Sequence, residues 1–252
     1  MLNQFSRTEL LLGKEAMEIL NKAHIAVFGV GGVGGYTVEA LIRSGIQHID
    51  IIDNDTVSLT NLNRQIIATH STIGKYKVDV MKDRILDINP SAEVNVHKCF
   101  YLPETRDLFD FTKYDYVVDA VDTVTAKINL ILQAKEAGTK IICSMGAGNK
   151  MDPTQFQVAD ISQTTVCPLA RVMRQECKKR KIKNVKVVFS TEKVLRPIEA
   201  IQPEKSSADN RSTVRRDIPG STAFVPSVAG LIIASEIIKD LTEEATARAR
   251  SL

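Results

Sequence analysis

The 252-residue chain carries 33 Lys and Arg against 30 Asp and Glu, a formal net charge of +3, and is 44% hydrophobic and 25% charged. Those values are ordinary for a globular α/β chain of one domain or two smaller ones and exclude a disordered one, and so mild a charge leaves any nucleic-acid affinity to local clustering. Cys99, Cys143, Cys167 and Cys177 form no C-x-x-C pair, which excludes the usual structural zinc spacing and a secreted disulfide framework.

The first segment, 7–23, has helical spacing, and it lacks the basic start and cleavage site of a signal peptide, so a cytoplasmic protein is expected. An apolar strand (24–30), a glycine-rich turn, a helix (35–45) and a second strand (48–53) follow as a βαβ unit. A polar stretch, 54–74, leads to a helix over 75–89 that Pro90 stops. Strands are predicted at 93–99 and 114–121, a helix at 125–138 closed by Gly138, and a buried strand at 139–148. Two more strands, 156–162 and 185–191, flank a basic helix over 168–181. Residues 202–222 are polar and read as a mobile loop. The uncharged run 218–235 is interrupted by Pro219, Gly220, Pro226 and Gly230; its apolar part is too short to span a bilayer and reads as a buried helix. Strands alternating with helices predict a doubly wound, mostly parallel, Rossmann-like α/β sheet with helices on both faces and a C-terminal extension.

Gly29, Gly31, Gly32, Gly34 and Gly35 lie between a strand and a helix, where glycine allows a tight turn and backbone N–H groups approach phosphate. Asp53, 19 residues after Gly34, ends the next strand and suits a ribose hydroxyl. These residues leave NAD, FAD and ATP all open. The residues that follow favour ATP. Asp55, Asn61, Arg64 and Gln65, then Lys75 and Lys77, offer a polar, cationic surround for a triphosphate. Asp119 and Asp122 sit at the carboxyl end of a strand, where a carboxylate can hold Mg²⁺ against phosphates.

In combination, "GVGGVGG", "DNDTVSLTNLNRQ", "GKYK" and "DAVDT" resemble the ThiF-like adenylating superfamily, which includes ubiquitin-activating enzymes and activators of sulfur-carrier proteins. The stretches "MDPTQFQVADISQT" and "FVPSVAGLIIASEII" are most similar to the branch that dehydrates threonylcarbamoyladenosine in tRNA. The resemblance implies a single adenylating domain over 1–252: a nucleotide-binding core (1–148), a basic substrate-side region (149–201), the mobile loop (202–222) and a C-terminal helix (223–252). It implies Gly31, Gly32 and Gly34 facing ATP, Asp53 on ribose, Asn61, Arg64 and Lys77 on phosphates, and Asp122 on Mg²⁺. Arg7 resembles the arginine that dimers of this family pass into the partner's ATP site, which implies a homodimer. Thr123 replaces the Asn that often follows the metal-site Asp. The missing C-x-x-C pairs weaken a sulfur-carrier activator as the alternative, though a sulfur-transfer partner stays open.

The implied reaction is acyl activation: ATP converts a carboxylate to a mixed anhydride, and the enzyme contributes positioning and electrostatics. Arg171, Arg174, Lys178, Lys179, Arg180 and Lys181 lie in a stretch with only Glu176 and Glu192 against them, a footprint expected for tRNA phosphates. Lys205, Arg211, Arg215 and Arg216 extend it into the loop. A non-catalytic nucleotide-binding RNA scaffold and an NAD-dependent oxidoreductase are the competing classes. Cys167 and Cys177 are weighed as nucleophiles and set behind a buried, incidental role. His24, His48, His70 and His97 show no partner pattern and are given no chemistry.

Overall fold

The computed structural model describes residues 2–198 and 219–251. Seven strands form one sheet in the order β3-β2-β1-β4-β5-β7-β6. They are β1 (His24–Phe28), β2 (His48–Ile52), β3 (Glu93–His97), β4 (Tyr116–Asp119), β5 (Lys140–Ser144), β6 (Phe156–Asp160) and β7 (Lys186–Ser190). All pairings are parallel except β6 against β7. Strands β1, β2, β4, β5 and β7 are almost wholly buried, as continuous apolar runs require in a parallel sheet covered on both faces.

The helices are α1 (Ser6–Leu12), α2 (Lys14–Lys22), α3 (Gly34–Arg43), α4 (Lys77–Ile88), α5 (Val124–Ala137), α6 (Pro168–Lys179) and α7 (Phe224–Arg250). One sheet face packs Val27, Ile49 and Ile51 against Val38 and Leu41 of α3, Met81 of α4 and Ile233 and Ile237 of α7. The other packs Phe28 and Val117 against Leu130 of α5, Met173 of α6 and the aromatic trio Tyr101, Phe109 and Phe111. The doubly wound architecture expected from the alternation is therefore the one observed.

Two departures are local. The helix expected over 7–23 is broken at Gly13, whose φ of 86° lies in the left-handed region that glycine tolerates, so α1 and α2 are separate. The polar stretch after β2 and the segment before β4 contain short 3-10 turns, including Leu59–Asn61 and Pro103–Leu108, which no 3.6-residue period announces.

Residues 224–235 of the uncharged C-terminal run fold as expected into the first half of helix α7, whereas 219–223 precede it without regular structure. Val225, Ala229, Ile233, Ala234 and Ile237 are buried, each large aliphatic side chain stabilising the fold by roughly 1.5–3 kcal/mol. Gly230 makes the α3–α7 crossing possible: a Cβ there would lie 2.3 Å from the Val33 carbonyl oxygen. Among the described residues no helix is long and apolar enough to cross a membrane. Residues 202–218 of the expected loop, with Lys205, Arg211, Arg215 and Arg216, lie outside the described residues.

Candidate functional site

The chain crosses from β1 outward to β2 and β3, then returns to place β4 on the other side of β1. The carboxyl ends of β1 and β4 therefore bound a crevice at a topological switch point, where open α/β sheets bind ligands. A cavity of about 400 Å³ opens there, lined by Gly29, Gly31, Gly32, Asp53, Asp55, Asn61, Arg64, Gln65, Lys77 and Asp122 among others. Close packing explains two glycines. Gly29 has φ 91°, and a Cβ on it would sit 2.7 Å from the Ala120 carbonyl oxygen; one on Gly34 would lie 1.8 Å from the Gly29 oxygen. By contrast, a Cβ on Gly31 would meet no other protein atom closer than the Gln65 amide nitrogen at 3.9 Å. The first pair is needed to close the turn, whereas Gly31 borders open cavity space among the described residues.

The helices α3 and α5 begin at the cavity, and Pro226 in the first turn of α7 lines it. Helix N-termini favour anions. Asp53 accepts hydrogen bonds from the Val30 N–H (2.7 Å) and the Asp55 N–H (2.9 Å), which fixes its carboxylate at the end of β2. Arg64 is half-buried and donates to the Thr60 carbonyl (2.8 Å) and the Asn63 side chain (3.0 Å) rather than to a carboxylate; burial lowers its pKa. Lys77 opens α4 and is buried, with Nζ 2.6 Å from the Asp55 carboxylate. Asn61 is buried and accepts from the Ser58 N–H (3.1 Å). Gln65 is buried too, and its Oε1 has no hydrogen-bond partner among the described residues. Unsatisfied buried polar atoms are costly, so Oε1 fits a ligand donor.

The two acids after β4 separate. Asp122 is exposed on the cavity rim, and the Thr123 hydroxyl donates to it at 3.3 Å. Asp119 faces the core instead, fully buried and paired with the fully buried Lys127 at 2.9 Å. The expectation that either acid could meet a metal is corrected for Asp119: it ends the strand on the inward phase. Lys75 is exposed and does not line the cavity, and neither does Arg7, exposed on α1 of its own chain.

Several features escaped the sequence. Cys99, Phe100 and Tyr101 form a further part of the cavity wall, with the Tyr101 hydroxyl bonded to Gln133 at 2.6 Å. Residues 219–221 form another part. Three of the four histidines expected to lack partners, His24, His48 and His97, have them. Buried Asp50 accepts from His24 Nε2 (2.8 Å), His97 Nε2 (2.9 Å), Asn95 (2.8 Å) and Tyr114 (2.9 Å), and His48 lies 3.2 Å from Glu93. Desolvation by burial would raise the Asp50 pKa, but the hydrogen bonds overcome it and hold the carboxyl far below its usual range. The alternation "HIDII" beside "EVNVH" carried that signal, since Asp50 and Asn95 share a register position.

The basic segment forms a second, separate cavity of about 780 Å³ lined by Arg171, Arg174, Lys178, Lys181, Lys183, Ser162 and Asp160. Its cations are not equivalent. Lys179 and Arg180 pair with Glu176, and Arg174 bonds the Thr164 carbonyl at 2.5 Å. Arg171, Lys178 and Lys181 are exposed and make no ion pair among the described residues. Cys167 and Cys177 are buried, and burial raises the Cys177 pKa, so neither thiol is presented as a nucleophile.

The sequence pattern of the ThiF family matches residues 5–251. A tRNA threonylcarbamoyladenosine dehydratase from Bacillus subtilis (strain 168) is 46% identical over 245 residues, covering 97% of this chain and 96% of that protein. The protein of the same name from Escherichia coli (strain K12) is 35% identical over 253 residues, covering 96% and 94%. A crystal structure of the E. coli tRNA N6-threonylcarbamoyladenosine dehydratase in complex with ATP matches with a TM-score of 0.84 at 35% identity, covering 97% of this chain and 96% of that one.

Proposed function

The chain belongs to the ThiF family, and we propose that it uses ATP to dehydrate threonylcarbamoyladenosine beside the anticodon of tRNA to its cyclic form. The observation that carries the proposal is the switch-point cavity, where a guanidinium with no carboxylate partner among the described residues, a buried ammonium and an open glycine turn converge as a polyanion requires. The relatives, similar over nearly their whole length, supply the substrate class.

In this reading the threonyl carboxylate attacks the α-phosphate of ATP, giving an acyl adenylate and pyrophosphate. The side chain's own carbamoyl group then displaces AMP and closes the ring, so one water is lost formally. The turn of Gly29, Gly31, Gly32 and Gly34 cradles the phosphates, and Asp53, fixed by two backbone N–H groups, holds ribose. Asn61 and Gln65 help to orient the nucleotide, and Arg64 and Lys77 neutralise charge on the departing pyrophosphate. Asp55 keeps the Lys77 ammonium aimed at the cavity. Asp122 fits a magnesium ion: its carboxylate has one long hydrogen bond, and among the described residues no cluster of three His, Cys, Asp or Glu exists to cage a metal. A site with one carboxylate suits Mg²⁺, which takes its remaining ligands from phosphates and water and supplies charge neutralisation when bound.

The division of labour follows. Residues before 149 supply most of the ATP cavity and 219–221 with Pro226 of α7 complete its wall, while the basic region faces tRNA through Arg171, Lys178 and Lys181, with Arg174, Lys179 and Arg180 held in internal contacts. Arg7, absent from its own chain's cavity and exposed on α1, is available to reach the site of a partner copy in a cytoplasmic homodimer. Burial of Cys167 and Cys177 favours no covalent sulfur chemistry on this chain.

Pyrophosphate exchange into ATP tests the proposal. It should require tRNA bearing threonylcarbamoyladenosine; exchange stimulated equally by unmodified tRNA, or only by a small protein's C-terminus, would reject it.

A further inference from the structure

The segment 219–221 has no regular secondary structure, yet it forms part of the nucleotide cavity wall. Two asparagines from distant parts of the chain hold it. The Asn149 backbone N–H donates to the Gly220 carbonyl at 2.8 Å, and the Gly220 N–H donates back to Asn149 Oδ1 at 2.6 Å. This reciprocal pair depends on the left-handed backbone of Asn149, φ 56°, which asparagine tolerates better than other non-glycine residues. On the other side, Asn63 Nδ2 donates to the Ser221 carbonyl at 2.9 Å while its Oδ1 accepts from Arg64 at 3.0 Å. The wall is thereby tied directly to the guanidinium that faces the phosphates.

We propose that Asn149 is a positioning residue for the nucleotide site: it clips 219–221 in place as a cavity wall and so retains bound ATP. The proposal rests on the ATP reading above. A short irregular segment held by a few hydrogen bonds is the kind of element that opens locally at low cost. Each opening would expose the nucleotide, while Arg64 keeps its own bond to the Thr60 carbonyl. Asn149 does not itself line the cavity, so its loss should act on ATP release and not on the chemical step.

Asn149→Gly is the sharp test, because glycine keeps the left-handed backbone and deletes only the side chain. Release of bound ATP, chased with unlabelled ATP, should be faster by about three- to tenfold, the range of one net hydrogen bond. Hydrogen exchange at the Gly220 amide should accelerate, while single-turnover cyclisation at saturating ATP stays within about twofold of wild type. Should that variant fold poorly, Gly220→Ala attacks the same contact from the other side, since its Cβ would lie 3.2 Å from Asn149 Oδ1, and should also speed release. Unchanged ATP release in a folded variant overturns the proposal, as does a slower single turnover with release unaffected. Wild-type protein that binds no ATP would instead overturn the nucleotide reading beneath it.

Discussion

Replacing Gly31 and Gly34 separately with alanine should separate two roles that look alike in "GVGGVGG". At Gly34 the new Cβ would fall 1.8 Å from the Gly29 carbonyl oxygen and 2.9 Å from its carbon, both main-chain atoms. The turn must move by about 1.5 Å to restore ordinary contact, and such overpacking costs about 1–3 kcal/mol or more, set against about 0.5–1 kcal/mol of helix propensity regained. We expect Gly34→Ala to lower unfolding stability by about 2 kcal/mol. At Gly31 a Cβ would lie 3.9 Å from the nearest atom beyond its chain neighbours among the described residues, so stability should stay within about 0.5 kcal/mol of wild type. The added methyl would instead occupy space meant for phosphate and break one charge-assisted bond of about 1.5–3 kcal/mol, weakening ATP binding roughly 10- to 150-fold. Urea unfolding and ATP calorimetry on both variants give the answer. Gly31→Ala binding ATP like wild type, or Gly34→Ala unfolding like wild type, would refute the reasoning.

Other sites give independent outcomes. Asp50→Asn should destabilise the fold by about 2–4 kcal/mol at pH 7, because a charged acceptor serving four donors is lost. The folded-state pKa of Asp50 is depressed, so its stabilisation is complete above the unfolded carboxylate pKa and is lost as pH falls below about 4; denaturation curves at pH 7 and pH 3 should therefore show the gap shrinking. Lys127→Met should cost about 3–5 kcal/mol by stranding buried Asp119, and adding Asp119→Leu should recover most of that loss in thermal unfolding. Replacing Arg171, Lys178 and Lys181 together with alanine should weaken tRNA binding and flatten its salt dependence between about 50 and 200 mM, while ATP affinity is unchanged.

The glycines, Asp53 at the end of its strand and the polar run through Lys77 made the sheet and most of the switch-point cavity's lining legible in sequence, because local turn chemistry and strand order dictate them. Asp119 and Asp122 could not be told apart, since which acid turns inward depends on the phase at which β4 ends. Gly13 was hidden inside an apolar period that continues across it. The Asp50 network needed the β1–β2–β3 register, and Asn149 needed the return of the chain to Gly220, a contact 71 residues away. Lys179 and Arg180 looked as available as Lys178 until the fold paired them with Glu176.

The central claim is that this cavity spends ATP on a nucleoside carboxylate. Purified protein incubated with ATP, Mg²⁺ and tRNA carrying threonylcarbamoyladenosine, followed by nuclease digestion and mass spectrometry, tests it most directly. The account predicts a nucleoside lighter by one water, formed only with ATP and lost in Arg64→Ala. An unchanged nucleoside mass, or the same loss of water without ATP, would contradict it.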